Sequence, residues 1–377
     1  MIRSSPHLII LFSGVFALMA LSNAIIPVLP DLSETLQIQA LIFSAYFFGA
    51  MVTTLPGGIL CDRYGQTLVV RISLILTVFS GFLLIGVQDT VAIFIARVIE
   101  GVGAGLFVSA GLSWINYRPD HLQLSGFFMA LLNGGLVIGL IGSGFLSSQT
   151  GILTSGILFF SVLSILPLLY SLKYPFERQH LPQDRKSLQH GESGISYLIN
   201  QVLGMVFREA PLWISVVVLL GTTGFVQAIY PELSHLGAQD IGLVLALMNV
   251  ATIIASLIAP SLNYEPVLLI RIAALCMGGL VLVFMEFPGA IFLMGFVAGI
   301  IMISQIGYLA ASVEHQGIAM GLFSTSSYAG MTLIPAVGGY IVGIISAPAA
   351  AASVFVLCII SAVLIGRCKC RGFHPLT

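Results

Sequence analysis

Arg97 and Glu100 stand three positions apart in the middle of an otherwise apolar run. On a helix that spacing puts both side chains on neighbouring surface, so they can pair. Ionisable groups in such surroundings are expensive and by default mark functional positions. Counted from the start of the run at Val91, at 1.5 Å per residue, Arg97 lies ~9 Å deep and Glu100 ~14 Å. The chemistry this offers is proton exchange, with Glu100 taking and releasing a proton as access to it alternates. The competing reading is a structural ion pair between buried helices. A second charged pair, Asp62–Arg63, sits in the stretch GGILCDRYGQ (57–66) between two apolar runs. It either keeps a short turn wet or is a working part.

The remaining chemistry is uncharged. Asn23, Tyr46 and Asn133 in the first half of the chain, and Gln227, Tyr230, Asn249, Gln305, Tyr308 and Tyr328 in the second, fall within apolar runs. So does a hydroxyl run, 324–327. A cavity lined this way suits a neutral or amphipathic organic molecule better than a polyanion, and each residue can equally be a helix–helix hydrogen bond. No phosphate-binding loop, His–Glu metal spacing or nucleophile–base arrangement is present, and the seven histidines are scattered through ends and loops. These features argue against a primary pump, an enzyme and a bound metal or cofactor. No basic cluster suggests a nucleic acid.

The elements that hold these residues must be membrane helices. Hydrophobic residues make up 58% of the chain and charged residues 8%, with a mean hydropathy of +1.07. A soluble domain carries about a quarter charged residues. The apolar runs are continuous rather than alternating, which excludes a barrel, and ~20 residues of helix span a bilayer core. Twelve spans are predicted: 8–28, 40–60, 69–87, 91–113, 124–146, 151–172, 212–230, 241–262, 267–287, 290–311, 318–345 and 347–365. The first is too long for a cleaved signal peptide. The spacing of the spans predicts an N-terminal six-helix bundle (1–172), a linker (173–210), a C-terminal six-helix bundle (211–366) and a tail (367–377).

Orientation follows from the basic residues. With the N-terminus inside, Arg63, Arg71, Arg118, Lys173, Arg178, Arg185, Lys186, Arg208 and Arg271 fall in interior loops, and Arg3, Arg367, Lys369 and Arg371 in the tails. The exterior then holds only acids: Asp31, Glu34, Asp89, Glu232, Asp240 and Glu286. Both termini are therefore expected in the cytoplasm, with the chain in an inner or plasma membrane. Trp114 and Trp213 fall at inner helix ends, as an interfacial belt would place them. In the linker, Ile195, Leu198, Ile199, Val202, Leu203 and Val206 recur at helical spacing opposite Ser196, Asn200 and Gln201, which predicts an amphipathic helix on the inner face. None of the five cysteines falls in an exterior segment, so no disulfide framework is implied; the tail pair Cys368 and Cys370 offers two isolated thiols.

The halves repeat. LPDLS (29–33) matches YPELS (230–234), with Pro30 and Pro231 offset by 201. VVRIS (69–73) matches LIRIA (269–273), with Arg71 and Arg271 offset by 200. GFFMALLNGG (126–135) matches GLFSTSSYAG (321–330), offset by 195. A parallel duplication of this kind belongs to transporters that bind substrate near the midplane between halves.

Together these features resemble the major facilitator superfamily, whose signature between helices 2 and 3 is G-x-x-x-D-R-x-G followed by a basic residue. Gly58, Asp62, Arg63 and Gly65 match it, while Gln66 and Thr67 depart. RVIEGVGAG (97–105) is similar to the helix-4 pattern R-x-x-Q-G-x-G, with Glu100 in place of Gln. GLVIGLIGSG (135–144) is similar to the helix-5 antiporter pattern, with Leu140 in place of its proline. Close helix packing accounts equally well for its glycines.

The resemblance implies two six-helix bundles related by a pseudo-two-fold and a cavity lined by helices 1, 4, 7 and 10, which favours Asn23, Gln227 and Gln305. It implies an inner gate in which Asp62 faces the start of helix 11, near 316–320, and Arg63 reaches toward an acid such as Asp120. The expected function is secondary active transport of a small-molecule substrate by a monomer in the lipid bilayer, as proton-driven efflux of a drug-like compound. Uptake by symport and a non-transporting sensor or scaffold are the alternatives.

Overall fold

The computed structural model describes residues 6–87, 89–116, 118, 120–176, 202–262, 264–312 and 316–366. The predicted amphipathic helix falls mostly outside the described residues, as does the tail with Cys368 and Cys370; residues 202–208 of the linker are helical. Among the described residues, twelve helices are long and apolar enough to cross a membrane. They are α1 (Pro6–Ala24), α2 (Leu36–Tyr64), α3 (Gln66–Gly86), α4 (Thr90–Asn116), α5 (His121–Thr150) and α6 (Ser155–Lys173). The second half supplies α7 (Ala210–Leu233), α8 (Ala238–Ile258), α9 (Pro266–Val283), α10 (Gly289–Ser312), α11 (Gln316–Ile344) and α12 (Ala347–Ile365). A 3-10 segment, Ile26–Leu32, follows α1 and carries Pro30.

The protein is an all-α integral membrane protein of two six-helix bundles. Helix pairs in the first bundle (α1 with α5 and α6, α2 with α4, α3 with α4 and α6) recur in the second as α7 with α11 and α12, α8 with α10, and α9 with α10 and α12. The repeated residues sit at matching places. Arg71 on α3 donates from Nε to the Ser171 carbonyl at 2.9 Å and from Nη2 to that of Leu172 at 3.1 Å, at the end of α6. Arg271 on α9 lies beside Gly366, at the end of α12. Each cation meets the negative end of a helix dipole. Gly135 on α5 presses on the Phe16 carbonyl of α1, and Gly330 on α11 presses on the Val217 carbonyl of α7.

α1 and α7 are the most enclosed helices. The outer helices instead expose large apolar side chains, such as Phe79, Phe159, Leu166, Leu275 and Val363, which lipid covers. The two tryptophans depart from expectation. Trp114 and Trp213 are at helix ends but buried: Trp114 packs on the rings of His7 and Phe176, and Trp213 donates to the Met205 carbonyl. Segments flanking the helices fold over them, so protein rather than headgroups surrounds the indoles.

The bundles meet through α2 with α11 and α5 with α8, with the 3-10 segment packed on α7 and α8. Contact is tightest at the acidic end. There Gly144 of α5 abuts the Ala238 carbonyl, Gly242 of α8 abuts the Leu140 carbonyl, and Gly339 of α11 abuts Ala40. From that end the α2–α11 contact runs past the Phe47 and Tyr328 rings to Leu55 against Gly321.

Candidate functional site

Small residues on two helices bring the site together. A Cβ at Gly101 of α4 would overlap the Tyr46 carbonyl, one at Gly105 would approach the Ala50 carbonyl, and one at Gly49 of α2 would overlap that of Val98. With these side chains missing, α2 lies directly on α4, as small residues allow in lipid. This register sets the Tyr46 ring 4.7 Å from the Arg97 guanidinium carbon, within cation–π range.

Arg97 and Glu100 are sealed, with relative exposures of 1% and 0%. Arg97 Nη1 donates to Glu100 Oε2 at 2.6 Å and to the Ser22 carbonyl of α1 at 3.2 Å. Three helices of the first bundle thus converge on one ion pair, ~15 Å along α4 from Thr90. The pair is incompletely satisfied: Arg97 Nε and Glu100 Oε1 have no hydrogen-bond partner among the described residues. Such a site can take a water or a proton at Glu100 Oε1 without breaking the existing contact to Oε2. The Tyr46 hydroxyl points to Met19 Sδ at 3.9 Å, and next to it Phe47 stacks on Tyr328 of α11, 6.2 Å between ring centres. The ion pair therefore connects within two residues to the surface between bundles.

The other predicted residues disperse. Asn23 donates to the Leu136 carbonyl of α5 at 3.2 Å, tying α1 to α5. Asn133 and Asn249 bond carbonyls one turn back on their own helices. Gln305 donates from α10 to Ser215 Oγ on α7 at 3.1 Å and leaves its buried Oε1 without a partner among the described residues. Gln227 and Tyr230 are buried on α7, with Tyr230 against the Phe284 ring. Tyr308 donates at 2.8 Å to Glu209, a carboxylate at the head of α7 that also pairs with Arg208. Glu209 gives no signal in the sequence, because it stands beside Arg208 in a polar interval.

In the gate motif, Gly65 holds φ 88° and ψ 152°, caps α2 by donating to the Cys61 carbonyl and starts α3. That conformation is open essentially to glycine alone. Gly58 meets nothing that a Cβ would touch. The Asp62 side chain lies outside the described residues. Arg63 is exposed over the Tyr64 ring, 5.4 Å away, whereas Asp120 pairs with Arg118 at 3.2 Å.

Residues 11–331 match the family described as Major Facilitator Superfamily. The chain belongs to that family. With its apolar helices, that membership makes it an integral membrane protein. The Quinolone resistance protein NorA of Staphylococcus aureus is 28% identical over 142 residues, 36% of this chain and 37% of that protein. The match therefore spans little more than a third of the relative's length. Among solved structures, a point mutant of the nucleoside transporter NupG superposes with a TM-score of 0.74 at 16% identity, covering 96% of this chain and 99% of that one. A second NupG structure, without the mutation, gives 0.71 at 14% identity over 98% and 100%. At these identities the superfamily member and NupG share a fold.

Proposed function

We propose that this chain is a proton-driven exporter of neutral or amphipathic organic compounds, working as a monomer with both termini in the cytoplasm. The observation that carries the reading is the sealed Arg97–Glu100 pair with a spare acceptor on Glu100. A buried charge pair that only had to hold helices together would do as well or better as apolar side chains of the same volume. An incompletely bonded carboxylate instead gains a function when a proton reaches it. The resistance protein similar to part of the chain supports the export direction, and the dispersed, uncharged polar residues support a substrate without strong charge.

In this mechanism the bundles rock about the α2–α11 and α5–α8 contacts, exposing the space between them to one side and then the other. Glu100 loads a proton from the outside and releases it inside, and Tyr46 and Phe47 carry the change at the ion pair to Tyr328. Proton loading and compound binding compete for opposite phases of one cycle.

The test uses proteoliposomes with an imposed proton gradient. Glu100→Gln, which keeps the shape and removes the titrating group, is expected to abolish gradient-driven flux while leaving equilibrium exchange of compound. Undiminished gradient-driven flux in that variant would remove Glu100 from the mechanism.

A further inference from the structure

At the acidic end, the strongest polar contact between bundles joins Gln39 in the first turn of α2 to Glu232 near the end of α7. Gln39 Nε2 donates to Glu232 Oε2 at 2.7 Å. Gln39 is 1% exposed, and its Oε1 is a buried acceptor with no partner among the described residues. Glu232 is half-buried at the rim, where water reaches it. An ionised carboxylate only accepts, so it can satisfy the Gln39 amide but never the Gln39 oxygen. A protonated carboxyl does both: Oε2 accepts from Nε2 while the other oxygen, carrying the proton, donates to Gln39 Oε1. The terminal torsion of Glu is soft enough to allow this. If the amide is turned over, its oxygen faces Glu232 and the carboxyl must again donate. Every fully bonded form of this contact contains one proton more than the ionised form.

We propose that Glu232 and Gln39 form a second proton-binding site, which closes the end predicted to face outward when external water protonates Glu232. The inference rests on the proposed proton-driven cycle and on its orientation. The proton moves from water to the free oxygen of Glu232 and is held against Gln39 Oε1 while the bundles are shut. It returns to the same side on reopening, so it biases the cycle without being carried across. External acid thus favours the outward-closed arrangement, the one that must follow proton loading from outside.

Other titratable groups near this end are Asp31 and Glu34 ahead of α2, Tyr230 on α7, His235 in the α7–α8 turn, Asp240 in the first turn of α8, and Tyr340 on α11. Among the described residues none of them bonds or pairs with Glu232, and no Lys or Arg stands at this end to hold it ionised. Flanking the latch, Gly144 and Gly242 abut helix carbonyls, Gly339 abuts the Ala40 side chain and Gly343 the uncharged Gln37 side chain, so among the described residues Gln39–Glu232 is the contact across this closure that brings a carboxyl group to it.

The experiment places spin labels on the exposed Ile152 and Leu236 of opposite bundles, in the full chain with its native cysteines replaced. Their distance distribution is then titrated from neutral to acid in lipid nanodiscs. The wild-type background is expected to shift toward the short distance as pH falls. Glu232→Gln, whose amide pairs with Gln39 through two hydrogen bonds at any pH, is expected to stay short throughout. Gln39→Leu, which removes the partner, is expected to lose the acid-induced shift. Glu100→Gln is expected to keep it. A wild-type distribution that ignores pH, or a shift that survives both Glu232→Gln and Gln39→Leu, overturns the latch. A latch that titrates through Glu232 in a protein whose flux ignores the proton gradient overturns the transport reading and leaves the latch standing.

Discussion

At the residue scale, the question posed by Arg97 and Glu100 is why charge persists where apolar side chains would serve. Removing one partner strands the other charge, so Arg97→Met is expected to destabilise the protein by about 3–5 kcal/mol, seen as a lower melting temperature in detergent. The double change Arg97→Met with Glu100→Leu is expected to recover most of that loss, yet give no gradient-driven flux. A double variant as unstable as the single one would mean that the pair exists for stability. The i,i+3 spacing made this pair legible in the sequence, because an isolated helix already fixes which side chains are neighbours. The Tyr46 ring over Arg97 was not legible, since it depends on the register of α2 against α4. Nor was Gln39–Glu232, whose members are 193 positions apart and individually resemble any amide or acid at a helix end.

At the scale of elements, glycine decides which helices touch. Gly135 and Gly330 occupy equivalent places in the two bundles, each against a carbonyl of the helix that opens its bundle. Replacing either by Leu is expected to lower the melting temperature by a similar amount, because each would force the same pair of helices apart. A large effect at one and none at the other would deny the equivalence. The helix-5 glycines can therefore be read as packing positions: Gly135 and Gly139 seat α5 on α1, and Gly144 seats it on α8. At the α2–α3 turn, Gly65→Ala is expected to cost about 1–3 kcal/mol through its backbone alone, measurable by thermal unfolding. The repeat was readable from the sequence because duplicated helices keep the residues that set their contacts, Arg71 and Arg271 among them. The expected cavity lining was less readable. Asn23, Asn133 and Asn249 are each spent on a helix carbonyl, and composition alone does not separate such an amide from one that meets a ligand.

For the whole molecule, the proposed cycle depends on two bundles moving as bodies. Packed interfaces of this kind switch between arrangements rather than deform continuously. In this conformation the acidic end is shut, so changes at the basic end act on the opposite phase of the cycle. The gate implied by the family resemblance sets Asp62 against the start of α11, where a carboxylate contributes ~0.3–1 kcal/mol; on that proposal Asp62→Asn is expected to slow transport about 2–5-fold while leaving compound binding nearly intact. Flux measured beside equilibrium binding separates the two, and lost binding with normal turnover would sink the gate reading. The overall fold was the most legible level of all, since twelve apolar runs and a one-sided distribution of cations leave few ways to thread a bilayer.

The seam between α5 and α8 carries one more implication. Gly144 and Gly242 rest on carbonyls at Ala238 and Leu140 that belong to helices, and an interior helical carbonyl already accepts a hydrogen bond from its own chain. When the bundles part there, water enters a joint that presents no stranded polar group and little side-chain surface. Wetting and drying such a joint therefore costs little in either direction, so the proposed rocking can turn over many times while leaving the choice of direction to whatever gradient is imposed.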